Sequence, residues 1–353
     1  MWPRVSIIWL NYNSGRIIDL VLKSLEAVAS LDYPSDRYEL IVVDNGSTDG
    51  SFEAVKKYLE GKSNLRKKVI KLGKNLGFTG GNNIGFKARD RDSEYIVLLN
   101  NDAIPFQDSL KVMVEHMEQF NSAALQGVNL KYGAKNIVDT AGGFLDEFFN
   151  SILVGQGKQY PWIIRKPFYV TYADGSYSIY RVDAVRRCVG EELFIDENFA
   201  YGDDNYLGLM LWNCGHRIIA IPVATAEHYR SGTFSRIHGL QWYLWMRNRI
   251  TLNVITNSRY KNLINLYSLK GFITPTITKG KLWSPHLQAI RDGLRHGRKL
   301  RRRVGLIDIY KAPLVDLNAS EALSLLLMPR RVYMETVEGK LERIIEKYQA
   351  LSS

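Results

Sequence analysis

The sequence predicts an α/β protein, with a mixed, mostly parallel sheet flanked by helices and a helical extension at its C-terminal end. Two observations predict it. Over the first hundred or so residues, short apolar runs alternate with helical patterns, as strand–helix–strand units require. Beyond about residue 231 the pattern changes to helices rich in Tyr, Trp, Arg and Leu, which divides the chain into residues 1–230 and 231–353. At 353 residues, 46% hydrophobic and 24% charged, the chain can bury a sizeable core in one large domain or two smaller ones.

The elements follow in order. Val5 to Leu10 is an apolar run stopped by Asn11-Tyr12-Asn13-Ser14-Gly15. Ile17, Ile18, Val21, Leu22, Leu25 and Val28 then recur at helical spacing. Glu39 to Val43 is a second strand, ended by Asp44-Asn45-Gly46-Ser47, and Thr48 or Asp49 is placed to cap a helix through Phe52, Val55 and Leu59. Val69 to Leu72 is a third strand. A glycine-rich segment, 73–85, passes into a short helix, and Tyr95 to Leu99 is a fourth strand, ended by Asn100-Asn101-Asp102. Further on, Asp174-Gly175-Ser176 sits in a strand-like stretch and 181–187 reads as helix. Residues 191–206 form an acidic, aromatic loop, with a helix starting near Asp203. Ile218 to Ile221 is a strand, with His228 downstream of it.

Charge and cysteine usage narrow the class. The net charge is +11, and all of the excess lies at one end: residues 231–353 hold 21 Lys and Arg against 8 Asp and Glu. A basic tail of this kind suits an anionic partner, and the stretch 284–303 has the spacing of a basic amphipathic helix suited to an anionic membrane surface. A solvated basic face is the plain alternative. The Trp and Tyr residues there would equally suit a homo-oligomer interface. No nucleic-acid motif accompanies the charge, so nucleic acid is not expected as a partner. Cys188 and Cys214 cannot form a disulfide framework, and no run reaches the roughly 18–20 apolar residues of a membrane span, so the expected location is cytoplasmic.

The chemistry-bearing residues fall after apolar runs. In parallel sheets ligands bind at the carboxyl ends of strands, and Asn11, Asp44 and Asp102 each follow such a run. Asn and Asp are also ordinary turn formers. Asp102 is a hard oxygen ligand suited to Mg²⁺ or Mn²⁺, and His228 is a second candidate ligand, although a lone His is often structural. Asp44 is placed to accept a hydrogen bond from a pyrimidine N3–H. The run from Asn75 to Asn83 would give a ligand close access to backbone N–H groups at a helix start. It lacks the Gly-x-Gly-x-x-Gly of a dinucleotide site and the Lys-Ser/Thr of a P-loop. Asp203-Asp204 opens a helix: one acid can cap it and the other can act as a general base.

Together these segments resemble glycosyltransferase family 2, inverting enzymes with the Rossmann-like GT-A fold, over about residues 3–235. The resemblance rests on Val5-Ser6-Ile7-Ile8 with Asn11-Tyr12-Asn13, on the segment from Val42 to Ser51, and on Asn75-Leu76-Gly77 with Gly80-Gly81-Asn82-Asn83-x-Gly85. It continues with Leu98-Leu99-Asn100-Asn101-Asp102 and with Phe194-x-Asp196-Glu197-x-Phe199 before Tyr201-Gly202-Asp203-Asp204. The style is nearest to rhamnosyltransferase-like members. The resemblance implies a UDP- or dTDP-sugar donor and a glycan or lipid-linked acceptor. The donor site would be drawn from Asn11, Asn13, Asp44, Asn75, Gly77, Gly80, Gly81, Asn82 and Asn101. It also implies Asp102 as the surviving acid of an Asp-x-Asp motif, His228 as a further holder of Mn²⁺ or Mg²⁺, Asp204 as catalytic base and Asp203 as an acceptor contact. Two positions depart from the pattern: Asn100 stands where the motif begins with Asp, and Tyr206 where many members have a third acid. The rival reading is a non-catalytic sugar-nucleotide or glycan-binding module, against which the intact Asp102 and Asp203-Asp204 argue.

Overall fold

The computed structural model describes residues 1–230, 238–268, 284–328 and 330–350, without the side chains of 238, 284, 285, 330 and 331. The first half builds β1 (Val5–Asn11), α1 (Ile18–Ala29), β2 (Tyr38–Asp44), α2 (Ser51–Glu60), β3 (Lys67–Lys71), α3 (Gly77–Ala88), β4 (Tyr95–Asn100) and β5 (Ala103–Pro105). Then come α4 (Ser109–Phe120), β6 (Ala124–Lys131), β7 (Val138–Thr140), β8 (Gly143–Asp146), β9 (Ser151–Leu153) and β10 (Phe168–Tyr169). They are followed by β11 (Tyr177–Arg181), α5 (Val182–Val189), α6 (Asp203–Asn213) and β12 (Ile218–His228). The C-terminal region adds α7 (His238–Ile255), α8 (Ser284–Val304), β13 (Leu314–Val315), α9 (Ala319–Leu327) and α10 (Arg330–Lys347).

The main sheet runs β10-β12-β6-β11-β4-β1-β2-β3. β3, β2, β1 and β4 are parallel, β11 is inserted antiparallel between β4 and β6, and β12 is parallel to β6. Chain order reverses between β1 and β4, and such a switch point leaves a crevice at the carboxyl ends of the strands. Both faces are covered, which explains the uninterrupted apolar runs. In β4, Tyr95, Val97 and Leu99 join the core under α1, α2 and α4, while Ile96 and Leu98 join the core on the opposite face.

Several local expectations change. The helix after β2 is preceded by Gly50 at φ 84°, not by a capping Thr48 or Asp49. Asp49 instead accepts from the Ser51 N–H and from the Gly15 N–H. Asp174-Gly175-Ser176 is the turn before β11, not part of the strand. His228 is the last residue of β12, which is far longer than residues 218–221.

The C-terminal region shares its core with residues 1–230: Leu252, Ile255, Leu300, Val337 and Leu341 join Phe144, Phe168 and Leu207 in one apolar cluster. α7 and α8 lie close together because α8 offers glycines. A Cβ at Gly293 would lie 2.6 Å from the Arg247 carbonyl oxygen, and one at Gly297 2.7 Å from Val254 Cβ. Trp242, Tyr243 and Trp245 are half-buried in this packing. On the outside of α8, Arg291, Arg295, Arg298 and Arg302 are exposed at helical spacing. Among the described residues, no helix is long and apolar enough to cross a membrane.

The glycines of α3 are there for packing. A Cβ at Gly81 would lie 2.4 Å from Leu10 Cδ1, and one at Gly85 2.4 Å from Ile8 Cγ2. Gly85→Val is therefore expected to cost about 1–3 kcal/mol, the usual penalty for overpacking, measured as a lower denaturation midpoint at unchanged m-value.

Candidate active site

Three neighbouring strands end at one level. Asn11 is in register with Asp44, and Leu10 with Asn100. The side chains there bind each other. Asn11 Nδ2 donates to Asp44 Oδ1 (2.8 Å), and its Oδ1 accepts from Asn101 Nδ2 (3.1 Å) and from the Ser14 hydroxyl. Asp44 Oδ2 accepts from the Ser47 N–H at 2.9 Å, and Asp44 is fully buried. Asn13 accepts from the Thr48 N–H. These bonds lock the turns after β1 and β2 together.

A second set of amides fixes the loop that leads to Asp203. Asn83, on α3, accepts from the N–H groups of Leu193 and Phe194 (2.9 and 2.8 Å) and donates to the Phe194 carbonyl and Asp196 Oδ1. The Thr79 N–H reaches the Phe199 carbonyl at 3.2 Å, and a Cβ on Gly77 would stand 2.3 Å from that same oxygen. From α7, Asn248 Nδ2 donates to the carbonyls of Asn198, Ala200 and Tyr201. Loop backbone that is buried must find partners, and here amide side chains supply them.

That loop ends at α6, whose first two residues are Asp203 and Asp204, after Gly202 at φ 79°. Asp204 Oδ2 accepts from the Gly175 N–H at 3.1 Å, while its Oδ1 is buried without a partner. Burial, with Asp203 and Asp174 nearby, holds the Asp204 carboxyl well above the usual carboxylate range. Burial also pushes Asp203 up to about 7, with the Asp174 charge adding to the rise.

The other half of the site is a buried chain of charges. β5 pairs antiparallel with the end of β12, which sets His228 opposite Ala103, beside Asp102. His228 Nε2 lies 3.2 Å from Asp102 Oδ1, and its Nδ1 lies 2.8 Å from Asp139 Oδ2. Burial opposes a charge on this imidazole, but the bonds to Asp102 and Asp139 outweigh it and hold His228 up to about 9. Arg230, at φ 52°, donates from Nε to Asp139 Oδ1 (2.7 Å) and stands 3.7 Å from Asp174 Oδ2. Burial works to raise Asp139, yet the bonds from His228 and Arg230 leave it below the usual range.

Both halves open into one cavity of about 1310 Å³, lined by Asn101, Asp102, Asp203, Asp204, His228 and Arg230. Residues of β9, α7 and α10 also line it. Residues 6–187 match the family described as Glycosyl transferase family 2. The chain belongs to that family.

Among its relatives, the probable glycosyltransferase YdaM of Bacillus subtilis is 24% identical over 252 residues, 70% of this chain and 54% of YdaM. The poly(ribitol-phosphate) beta-N-acetylglucosaminyltransferase TarS of Staphylococcus aureus is 30% identical over 131 residues, 36% of this chain and 22% of TarS. The matched stretches thus span about half or less of these relatives. The fold is shared with S. aureus TarS 1–349, at TM-score 0.52 and 19% identity over 96% of this chain and 91% of that one. It is shared also with the Pyrobaculum calidifontis mannosyltransferase PcManGT, solved with GDP-Man and Mn²⁺, at TM-score 0.51 and 17% identity over 96% and 87%. The chain has the GT-A-like fold of these neighbours.

Of the residues singled out from the sequence, Asn101, Asp102, Asp203, Asp204 and His228 line the cavity. Asn11 and Asp44 are spent on each other behind it, and Tyr12 and Asn45 line it instead. The glycine-rich segment departs from expectation. Three of its backbone donors are engaged within the protein: the Leu76 N–H goes to Asn45 Oδ1, the Gly77 N–H to Asn75 Oδ1 and the Thr79 N–H to Phe199. Gly80 and Gly81 are buried against Leu76 and Leu10, and Asn82 donates to the Phe78 carbonyl. Asp139, Asp174 and Arg230 were not singled out as functional in the sequence: Asp139 sits in the short strand β7 and the other two in irregular stretches, and only tertiary pairing joins them.

Two measurements follow. Asn83→Ala strands two N–H groups and a carbonyl, so it is expected to cost at least about 2 kcal/mol and to speed proteolysis within 191–202. Asp203 holds its proton in the folded chain where the unfolded chain has lost it. Folding therefore takes up a proton between about pH 4 and pH 7, and stability falls as pH rises through that window. Asp203→Asn should remove this fall, so its advantage over wild type in thermal unfolding should grow from pH 5 to pH 8, by on the order of 2 kcal/mol.

Proposed function

We propose that the chain moves a sugar from a UDP- or dTDP-linked donor to a hydroxyl of a glycan or lipid-linked acceptor, with inversion at the anomeric carbon. The observation that carries this is the Asp204 carboxyl. One oxygen is oriented by the Gly175 N–H and the other is buried without a partner, at the wall of a cavity that also holds Asp102 and His228. Asp204 is the general base: its free oxygen takes the proton of the acceptor hydroxyl as that oxygen attacks the sugar. Its raised proton affinity suits the task, since an effective base has a pKa near the working pH. Burial supplies most of that rise, and Asp203 and Asp174, which border the acceptor side, add to it. TarS, the relative solved with UDP-GlcNAc, supports the donor class.

Among the described residues, no group of three or more His, Cys, Asp and Glu side chains forms a metal cluster. The donor set that is present suits a divalent ion completed by a diphosphate. Asp102 and His228 are adjacent, and the Asp139 contact at Nδ1 leaves Nε2 directed at Asp102. Asp102 and a deprotonated His228 would hold Mn²⁺ or Mg²⁺, which when bound would neutralise charge on the leaving nucleoside diphosphate. Arg230 keeps Asp139 in place behind His228. A base contact at Asp44 requires the 45–48 turn to move aside, since Asp44 is enclosed. Outside the site, the four exposed arginines of α8 offer a face to anionic lipid, and the chain would sediment with anionic but not neutral liposomes at low salt.

Asp204→Asn is expected to lose at least about 10²-fold in turnover while keeping the rise in melting temperature that the nucleotide sugar causes. Near-normal turnover would remove Asp204 from this role. A melting screen of UDP-, dTDP- and GDP-sugars with Mn²⁺, Mg²⁺ or EDTA identifies the donor. Asp102→Ala should abolish the metal-dependent part of the shift, and an unchanged shift would count against Asp102 as a metal holder.

A further inference from the structure

Two cysteines are too few for a disulfide framework, and nothing in their spacing pairs them. The fold does. Cys188 lies in the last turn of α5, and Cys214, 26 positions further along the chain, caps the C-terminal end of α6. The two helices pack together: Ala184 and Val185 of α5 and Leu207 and Leu211 of α6 belong to one apolar cluster, and Cys188 rests against it. The turn after α6 stays close to α5, since the charges of Arg187 and Asp183 act on His216. There the Cys188 thiol comes within hydrogen-bonding range of the Cys214 thiol.

The pair is unequal. Cys214 is exposed and Cys188 is partly buried. Burial first, and then the neighbouring Cys214, hold the Cys188 thiol well above its ordinary range. Cys214 is therefore the sulfur that an oxidant in solution meets, and Cys188 stands behind it. Once Cys214 is bonded to another sulfur, its charge no longer opposes ionisation of Cys188, and Arg187 favours it.

We infer that Cys188 and Cys214 form a reversible disulfide that clamps the loop carrying Asp203 and Asp204. The oxidant is a small disulfide such as oxidised glutathione. The Cys214 thiolate attacks it: a bond forms between Cys214 Sγ and one glutathione sulfur, and the other glutathione leaves with the electron pair of the broken bond. Cys188, on losing its proton, then attacks Cys214 Sγ and expels the second glutathione. The two protein thiols are oxidised, one glutathione disulfide is reduced to two thiols, and the two protons end on them. The ring so closed runs from 188 to 214 and contains all of 191–202 together with both acids. Asn83 and Asn248 hold this loop by hydrogen bonds that break when it opens, whereas a covalent ring still limits how far it can open or unfold.

The test uses the whole chain, either reduced with dithiothreitol or treated with oxidised glutathione. The treated chain should lose two hydrogens by mass, carry no glutathione and show no free thiol after denaturation, where the reduced chain shows two. Cys188→Ser, treated alike, should stop at a single glutathione adduct on Cys214. The bridge should raise the melting temperature by at least about 3 °C. It should also slow chymotryptic cleavage at Phe194, Phe199 or Tyr201 at least about fivefold. Both effects should reverse with dithiothreitol and be absent in Cys188→Ser and Cys214→Ser. A chain that keeps both thiols, takes up two glutathiones or links to a second chain overturns the bridge, and unchanged cleavage in a bridged chain overturns the clamp. No nucleotide sugar takes part, so a donor screen without a melting shift is a separate result and leaves the bridge standing.

Discussion

The side-chain amide of Asn83 is the constraint on which the rest of the site depends. It accepts two backbone N–H groups and donates to a backbone carbonyl from the start of the loop before α6. An irregular loop held between α3 and α7 leaves its peptide groups without secondary-structure partners, and each buried one left unpaired costs about 1–3 kcal/mol. Asn83 from one side and Asn248 from the other satisfy them. Phe199, Tyr201 and Gly202 then take up positive φ, and the turn delivers Asp203 and Asp204 to the first turn of α6. The acids owe their place to neutral amides, and Asp204 Oδ1 is left free for chemistry.

The same division of labour holds at the strand ends. Asn11 clips the turns after β1, β2 and β4 through Asp44, Ser14 and Asn101. The residues that face the cavity stand in front of this clip. The stretch matched to the family ends at 187, before α6 and β12, so Asp204 and His228 come from the continuation of the fold. The C-terminal helices complete the cavity and share a core with the first 230 residues.

The sequence revealed the strand ends well and the packing poorly. Apolar runs bounded by Asn and Asp marked β1, β2 and β4 to within a residue or two, because both faces of those strands are buried and the polar stop is abrupt. The glycines of α3 were read as an opening for a ligand, whereas they let the helix approach Leu10 and Ile8. Local sequence gives close approach to a ligand and close approach to a neighbouring strand the same appearance. Asp139 and Arg230 carried no signal, since only the pairing of β6 with β7 and β12 brings them to His228.

The most direct measurement is the pH dependence of kcat/KM for sugar transfer, once the donor is known. A buried Asp204 with one unpartnered oxygen, acting as base, should give a rate that falls with decreasing pH below an apparent pKa well above that of an ordinary carboxylate, with the limb moved toward lower pH in Asp174→Asn, which removes a neighbouring charge. A rate that stays flat down to pH 5, in wild type and variant alike, would contradict a base in this position.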